Sequence, residues 1–211
     1  MEIKRFYTGP FQTNCYLVWN DKKEAYLFDC EGESLSRLSD FIEKEGLNLK
    51  YIILTHGHGD HICGINKIKD LYPEAVLYIG EEDRDFLHDS SLNLAPYIIG
   101  RDFKYEKEFK TYKGGDQIGE FTAIDTPGHT IGSKCLYNKE SRLLISGDTM
   151  FRRSFGRYDL PTASGRQLFD SLAKLCAKLP EDTEVYSGHT EPTTIGEEKK
   201  FLTSQGLIQS K

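Results

Sequence analysis

"YIILTHGHGDHICGI", residues 51–65, sets three histidines and an aspartate within six positions immediately after an apolar run. The chain has 211 residues and six histidines, so half of them fall in this one place. Crowded imidazoles repel when protonated and use core volume poorly when neutral, so packing alone does not ask for them. Alternate side chains of an extended segment share a face. His56, His58 and Asp60 therefore converge on one point, while His61 opens the next helix and reaches a neighbouring point. The preceding "LKYIILT" reads as a short central strand buried on both faces. A strand end feeding a loop is where ligands gather in layered α/β folds.

Four donors from one loop do not complete a two-metal site, so distant donors are required. Three histidines remain: His88, His129 and His189. "TPGHT" puts His129 in a tight turn at a strand end, and "YSGHT" puts His189 in a near-identical setting. "ISGDT" adds Asp148, again just past an apolar strand and a glycine. A lone aspartate after a strand is usually a turn cap, but capping does not predict three such strand-glycine-donor endings. His88 lies in an acidic segment without that context and reads as an ordinary surface histidine. The expected set is His56, His58 and His129 on one ion, Asp60, His61 and His189 on the other, with Asp148 able to bridge. Imidazole and carboxylate without thiolate suit two divalent ions, zinc first, with iron or manganese as alternatives. Such pairs lie roughly 3.5–4 Å apart, share a hydroxide and lower the pKa of bound water towards about 7.

Outward from this loop, the chain falls into two similar halves. "MEIKRFYT", a Gly9-Pro10 turn, "NCYLVWN", an Asn20-Asp21 turn and "EAYLFDC" read as an antiparallel meander. From Ser34, Leu35, Leu38, Phe41 and Ile42 recur at helical spacing up to Gly46. After the histidines, "ICGINKIKDLY" is expected as a helix closed by Pro73, "AVLYIG" as a strand and "EEDRDFLHD" as one or two helical turns. Residues 89–110 show no firm period and read as a long loop or lid. In the second half "DQIGEFTAIDTPG", "KCLYNKE" and "RLLISGD" are strands. Residues 164–180 form an amphipathic helix with Leu168, Leu172, Leu175, Cys176 and Leu179 on one face, and "TEVYSGH" is a last strand. Strands followed by a helix in each half suggest two β-sheets facing each other with helices outside. No linker divides them, so residues 1–211 are expected as a single domain.

Composition narrows the partners. A formal net charge of -6 argues against nucleic acid, which asks for clustered Lys and Arg. Five scattered cysteines without a CxxC pair read as reduced thiols. The N-terminus has no apolar signal region, and no stretch approaches the length of a membrane span. A cytoplasmic protein acting on a small molecule, with no membrane or nucleic-acid partner, is the expectation; its oligomeric state is open.

The motifs "THGHGDH" (55–61), "GHT" (128–130), "GDT" (147–149) and "GHT" (188–190) resemble the metallo-β-lactamase superfamily over nearly the whole chain. The resemblance implies an α/β, four-layer αββα sandwich: two mixed β-sheets with helices on the outer faces and the metals at one edge. "TNCYLV", "TPGHTIGSKCLY", "GDTMFRRSFGRYDLP" and "LPEDTEVYSGHTEPTTIGEEKKF" further resemble glyoxalase II and its shorter bacterial relatives, the hydroxyacylglutathione hydrolase-like enzymes. An aspartate at Asp148 is uncommon in true β-lactamases of this fold, which disfavours antibiotic hydrolysis. Full-length glyoxalase II carries a helical domain after its last histidine, and only about twenty residues follow His189. The chain is therefore expected without that domain and without its share of the glutathione site. The family's lysine after GDT is replaced by Arg157, and its tyrosine is shifted to Tyr158; these two are the substrate-binding candidates. "FDCEG" stands where relatives have Asp-Pro-Gly, making Asp29 a support for the ligands in a different turn.

The implied reaction is thioester hydrolysis by a metal-bridging hydroxide, with Asp60 relaying a proton while it ligates. A thiolate leaves readily at neutral pH, so no strong protein acid is needed. Alternatives on the same scaffold are a mono-iron persulfide dioxygenase and a hydrolase of lactones or phosphoesters; a nuclease and a non-catalytic metal module fit less well. Arg152, Arg153 and Arg157 form a basic run that either grips a substrate carboxylate or sits as a solvated loop, with one arginine paired to Asp159 or Glu120. "SLAK" (171–174) matches a serine-nucleophile pattern without its partner motifs and reads as chance. Cys63 reads as a small buried helix residue.

Overall fold

The meander of the first half forms as expected. β1 (Glu2–Thr8), β2 (Thr13–Trp19) and β3 (Glu24–Phe28) pair antiparallel in order. The computed structural model describes residues 1–8, 11–32 and 35–209, so the expected Gly9-Pro10 turn and the start of the first helix at Ser34 lie outside the described residues. Asn20 makes the second turn, its Oδ1 accepting from Lys22 N at 3.0 Å and Glu24 N at 3.1 Å.

α1 (Leu35–Glu45) buries Leu35, Leu38 and Ile42, which recur at three and four residues along one face. It stops at Gly46, whose φ of 62° is the left-handed turn that closes many helices. This crossover delivers β4 (Asn48–Ile53) parallel to β3. β4 also pairs parallel with β5 (Val76–Gly80), so it is an inner strand, and Ile52 and Ile53 are fully buried.

Between β4 and β5 lie α2 (Gly59–Ile62) and α3 (Ile65–Leu71). The helix expected over residues 62–72 is thus shorter, and Ile62 belongs to the turn before it. The interruption has a steric cause: Gly64 N donates to Cys30 O at 2.8 Å, and a Cβ at Gly64 would lie 2.7 Å from Cys30 Sγ.

Residues Glu81–Leu87 form a 3-10 helix, followed by α4 (Ser90–Asn93) and α5 (Ala95–Ile98). The stretch 89–110, expected as one long loop, is therefore helical up to Ile98 and a loop only over 99–109. Asp89 caps α4 by accepting from Ser91 N, and Leu94 at φ 58° turns the chain between the two helices. Buried Asn93 donates to Phe86 O at 2.7 Å and accepts from Ala95 N at 2.9 Å. Four-residue helices are too short to show a hydrophobic repeat. β6 (Lys110–Tyr112) ends the first sheet, whose order is β1-β2-β3-β4-β5-β6.

The second half repeats the plan. β7 (Gln117–Ile118), β8 (Phe121–Asp125), β9 (Lys134–Asn138) and β10 (Leu143–Gly147) run antiparallel. β11 (Met150–Phe151) and β12 (Ser154–Phe155) form a small hairpin with Arg152 and Arg153 at its tip. α6 (Gly165–Lys178) buries Leu168, Leu172, Leu175 and Cys176, as its sequence period predicts. It delivers β13 (Glu184–Ser187) parallel to β10. β14 (Thr193–Thr194) and α7 (Ile195–Ser204) complete the chain, and Leu202 of α7 joins Leu144, Leu172 and Val185 in one core. The second sheet runs β14-β13-β10-β9-β8-β7.

The chain divides into two compact units, residues 1–111 and 112–211, each with its own apolar core. Among the described residues, no helix is long and apolar enough to cross a membrane.

Candidate metal centre

In the first unit the chain leaves β4 and places Thr55 and His56 beside Asp29, which follows β3. The Asp29 carboxylate accepts from Thr55 N and from Thr55 Oγ1, both at 2.8 Å, and faces His61 Nδ1 at 2.9 Å. A histidine held by a carboxylate at Nδ1 presents Nε2 as a donor to a metal. The Thr55 hydroxyl proton goes to Asp29, so Thr55 Oγ1 accepts from His56 Nδ1 at 3.1 Å. His56 is thereby oriented in the same sense as His61. The ring of His56 lies 4.1 Å from that of His61 and 4.9 Å from that of His58, centre to centre.

Asp60 Oδ2 lies 3.7 Å from His61 Nε2 and accepts from Thr13 Oγ1 at 2.9 Å. Gly57 N donates to the buried carboxylate of Asp83 at 3.0 Å. The two glycines between the donors answer to close packing. A Cβ at Gly57 would lie 2.4 Å from Phe86 Cβ, and one at Gly59 would lie 2.9 Å from Ala95 Cα.

In the second unit Gly188 N donates to Gly147 O at 2.9 Å, tying the end of β13 to the end of β10. That bond sets His189 beside Asp148, with Nε2 at 3.2 Å from Asp148 Oδ2. His129 Nε2 approaches the same oxygen at 3.5 Å, while His129 Nδ1 donates to Arg157 O at 2.8 Å. Gly128 at φ 141° permits this turn, and its carbonyl accepts from Ser164 N at 2.8 Å.

Each sequence-expected donor thus has a definite place. His56, His58, Asp60 and His61 gather in the first unit, and His129, Asp148 and His189 in the second. All but His189 are less than 9% exposed. Burying this many imidazoles and carboxylates is costly unless they are bonded or coordinate a metal. Several nitrogen–oxygen separations sit at or beyond the long end of hydrogen bonding, the spacing of donors turned towards a shared ion. The histidine and aspartate clusters are consistent with a dinuclear metal site.

Other expectations divide. His88 is exposed and stacks at a tilt on Phe109, apart from the donors. Arg157 makes a two-pronged bond to Asp159, at 2.9 Å and 3.0 Å, on the exposed surface. Of the two readings of the basic run, the arginine-aspartate pair is the one present; the pair holds the Arg157 pKa up and the Asp159 pKa down. Tyr158 is half exposed between the rings of Phe155 and Phe169. Ser171 and Lys174 of the "SLAK" run do not form a nucleophile pair. They donate to Pro127 O at 2.8 Å and Asp125 O at 2.9 Å, bracing the His129 turn from α6. Cys63 is buried, which pushes its thiol up to about 11. Thr13, Asp83 and the Arg157 carbonyl were not anticipated as supports, although Thr13 and Arg157 fall in motifs that resemble the family's.

The donors follow one another in the order of a known family, and the profile described as "Metallo-beta-lactamase superfamily" matches residues 8–189. The chain belongs to the metallo-beta-lactamase superfamily. Hydroxyacylglutathione hydrolase GloC of Haemophilus influenzae is 32% identical over 217 residues, spanning 97% of this chain and 100% of that protein. The crystal structure of BLEG-1 B3 metallo-beta-lactamase is similar with a TM-score of 0.86 and 35% identity, over 94% of this chain and 97% of that one. That of TTHA1623 in a di-iron-bound form gives a TM-score of 0.85 and 31% identity, over 94% and 98%. The expected αββα fold of the metallo-beta-lactamase superfamily is the fold of this chain.

Proposed function

We propose that this metal-dependent hydrolase is a thioesterase of the glyoxalase II type, acting as one domain over residues 1–211 on a small hydroxyacyl thioester. The observation that carries the reading is Asp148, whose Oδ2 lies 3.2 Å from His189 Nε2 and 3.5 Å from His129 Nε2. Two imidazoles and one carboxylate alone would also suit a single oxygenase iron; with His56, His58, Asp60 and His61 the candidate donors number seven, enough for two ions. His56, His58 and His129 would hold one ion, and Asp60, His61 and His189 the other, with Asp148 shared and zinc the first choice. Bound there, the ions supply an activated water near neutral pH and Lewis acidity towards a carbonyl.

The chain's own residues do the rest. Asp29 and Thr55 hold His61 and His56 with Nδ1 protonated, and the Arg157 carbonyl does so for His129. Thr13 fixes one oxygen of Asp60, so a proton is taken or given at that carboxylate in a constant geometry. A thiolate leaving group needs no further acid. Arg157, exposed and paired with Asp159, can exchange that partner for a substrate carboxylate, with Tyr158 beside it.

A full-length relative described as a hydroxyacylglutathione hydrolase supports the thioester reading. Similarity to BLEG-1 B3 metallo-beta-lactamase favours, as a second reading, hydrolysis of a cyclic amide or lactone. The test is metal content of the purified protein together with turnover of S-lactoylglutathione, coenzyme A thioesters, lactones and β-lactams. Two ions per chain with thioester turnover is the expected result. Two ions with lactone or β-lactam turnover alone would transfer the function to the second reading. One iron with oxygen consumption on glutathione persulfide would replace the hydrolase by a dioxygenase.

A further inference from the structure

A buried carboxylate outside the donor set stands behind the histidine loop. Asp83 lies in the 3-10 helix Glu81–Leu87 and is 0% exposed, and its Oδ2 accepts from Gly57 N at 3.0 Å. A carboxylate in so dry a place is costly unless charge-assisted bonds hold it. Gly57 separates His56 from His58, so the bond fixes the peptide unit whose tilt aims both rings.

The same helix supplies Phe86, whose ring lies 6.0 Å from that of His58 and whose Cβ leaves no room for a side chain at Gly57. Asn93 in turn binds Phe86 O and Ala95 N, and Ala95 closes on Gly59. The loop 56–59 is therefore backed along its length by residues 83–95. His61, beyond it, is fastened elsewhere, to Asp29.

We infer that Asp83 is a positioning residue that sets the affinity of the ion position served by His56 and His58 in preference to the one served by Asp60, His61 and His189. The inference rests on the two-ion reading above. Residues that orient metal ligands from behind are worth about 10–100-fold in affinity.

The test compares Asp83→Leu, which removes the acceptor, with Asp83→Asn, which keeps an oxygen in place. Zinc affinity of the full chain is measured by competition with a chromophoric chelator. Occupancy of each position comes from anomalous diffraction of crystals equilibrated at one buffered zinc concentration. Melting of the metal-free protein reports on the fold. In D83L the His56 and His58 position should weaken by roughly 10–100-fold, with the other position within about twofold, and D83N should recover most of the loss. Equal weakening at both positions, or none at either, overturns the inference; if D83L does not fold, Asp83→Ala, which also removes the acceptor, is judged by the same pattern. A wild type with a single ion at His56 and His58 overturns the two-ion reading, and the variants still decide the role of Asp83. A wild type with no ion there overturns both.

Discussion

Asp29 Oδ2 lies 2.9 Å from His61 Nδ1 and also accepts from Thr55 Oγ1, which in turn accepts from His56 Nδ1. One carboxylate thus reaches two histidines, one directly and one through a hydroxyl. Asp29→Ala should weaken zinc binding by about 10–100-fold, and, unlike a change at Asp83, should do so at both ion positions. Asp29→Asn keeps an acceptor and tolerates the left-handed backbone at φ 58°, so it should recover part of the loss. Chelator competition on the three proteins checks the order.

Gly156 is a second point of sensitivity. A Cβ there would lie 1.9 Å from Asp148 O and 3.1 Å from His129 Nδ1, so Gly156→Ala must displace two donors. We expect a loss of turnover of about 10–100-fold, on the scale seen when ligand-supporting contacts go. Gly32→Ala is the control, because its Cβ would meet Cys63 Sγ at an ordinary 3.6 Å. Steady-state kinetics and metal content of both variants decide it.

The Arg157–Asp159 pair is exposed and therefore exchangeable. If Arg157 binds substrate, Arg157→Ala should raise KM for an anionic thioester by about three- to tenfold with kcat little changed. Asp159→Asn should do the opposite by releasing the guanidinium. A neutral thioester should feel neither change. Equal effects on neutral and anionic substrates would reduce Arg157 to a surface residue.

Much of the scaffold was legible because it rests on local signals. The apolar runs and turn residues of β1 to β3, the one-faced leucine stripe of α6 and the glycine stop of α1 are all written within a few neighbouring residues. The seven candidate donors stood out in the sequence because each follows an apolar run and, outside the first loop, a glycine. Their supports were not, because they act across the chain: Thr13 meets Asp60 from 47 positions away, and Asp83 meets Gly57 from 26. α4 and α5 were hidden by their brevity. α7 was missed although Thr194 and Glu197 have capping-box spacing; Thr194 Oγ1 does accept from Glu197 N at 3.2 Å. Arg157 was singled out for its guanidinium, while its carbonyl turned out to hold His129.

Glu198 gives a pH-dependent signature of the second unit. Burial raises its pKa above 4.5, against the bonds from Thr193 and Arg153 N. The folded state therefore binds this proton more tightly than the unfolded state, and the group's contribution to stability falls as pH rises from about 4.5 through the raised value. Glu198→Gln, which stays neutral, should flatten that part of the stability profile. Urea melts at intervals between pH 4 and 8 would show it, and parallel profiles for both proteins would contradict it.

The five cysteines should be silent in the native protein. Burial pushes Cys63, Cys135 and Cys176 up to about 11, and Cys15 and Cys30 higher still. Only the thiolate is reactive, so DTNB at pH 8 should label almost nothing until denaturant is added. All five should then titrate. Rapid labelling of any thiol in the native state would count against the burial described.

The two units share more than a style. In each, an antiparallel meander ends at an aspartate, Asp29 after β3 and Asp148 after β10, and a helical crossover then delivers a parallel strand followed by a histidine, His56 or His189. The two units follow one plan, with the aspartate put to a different use in each. One aspartate faces two imidazole Nε2 atoms, and the other has become the anchor of a histidine's far side. On the two-ion reading, the same place in the plan meets a metal in one unit and braces a ligand in the other.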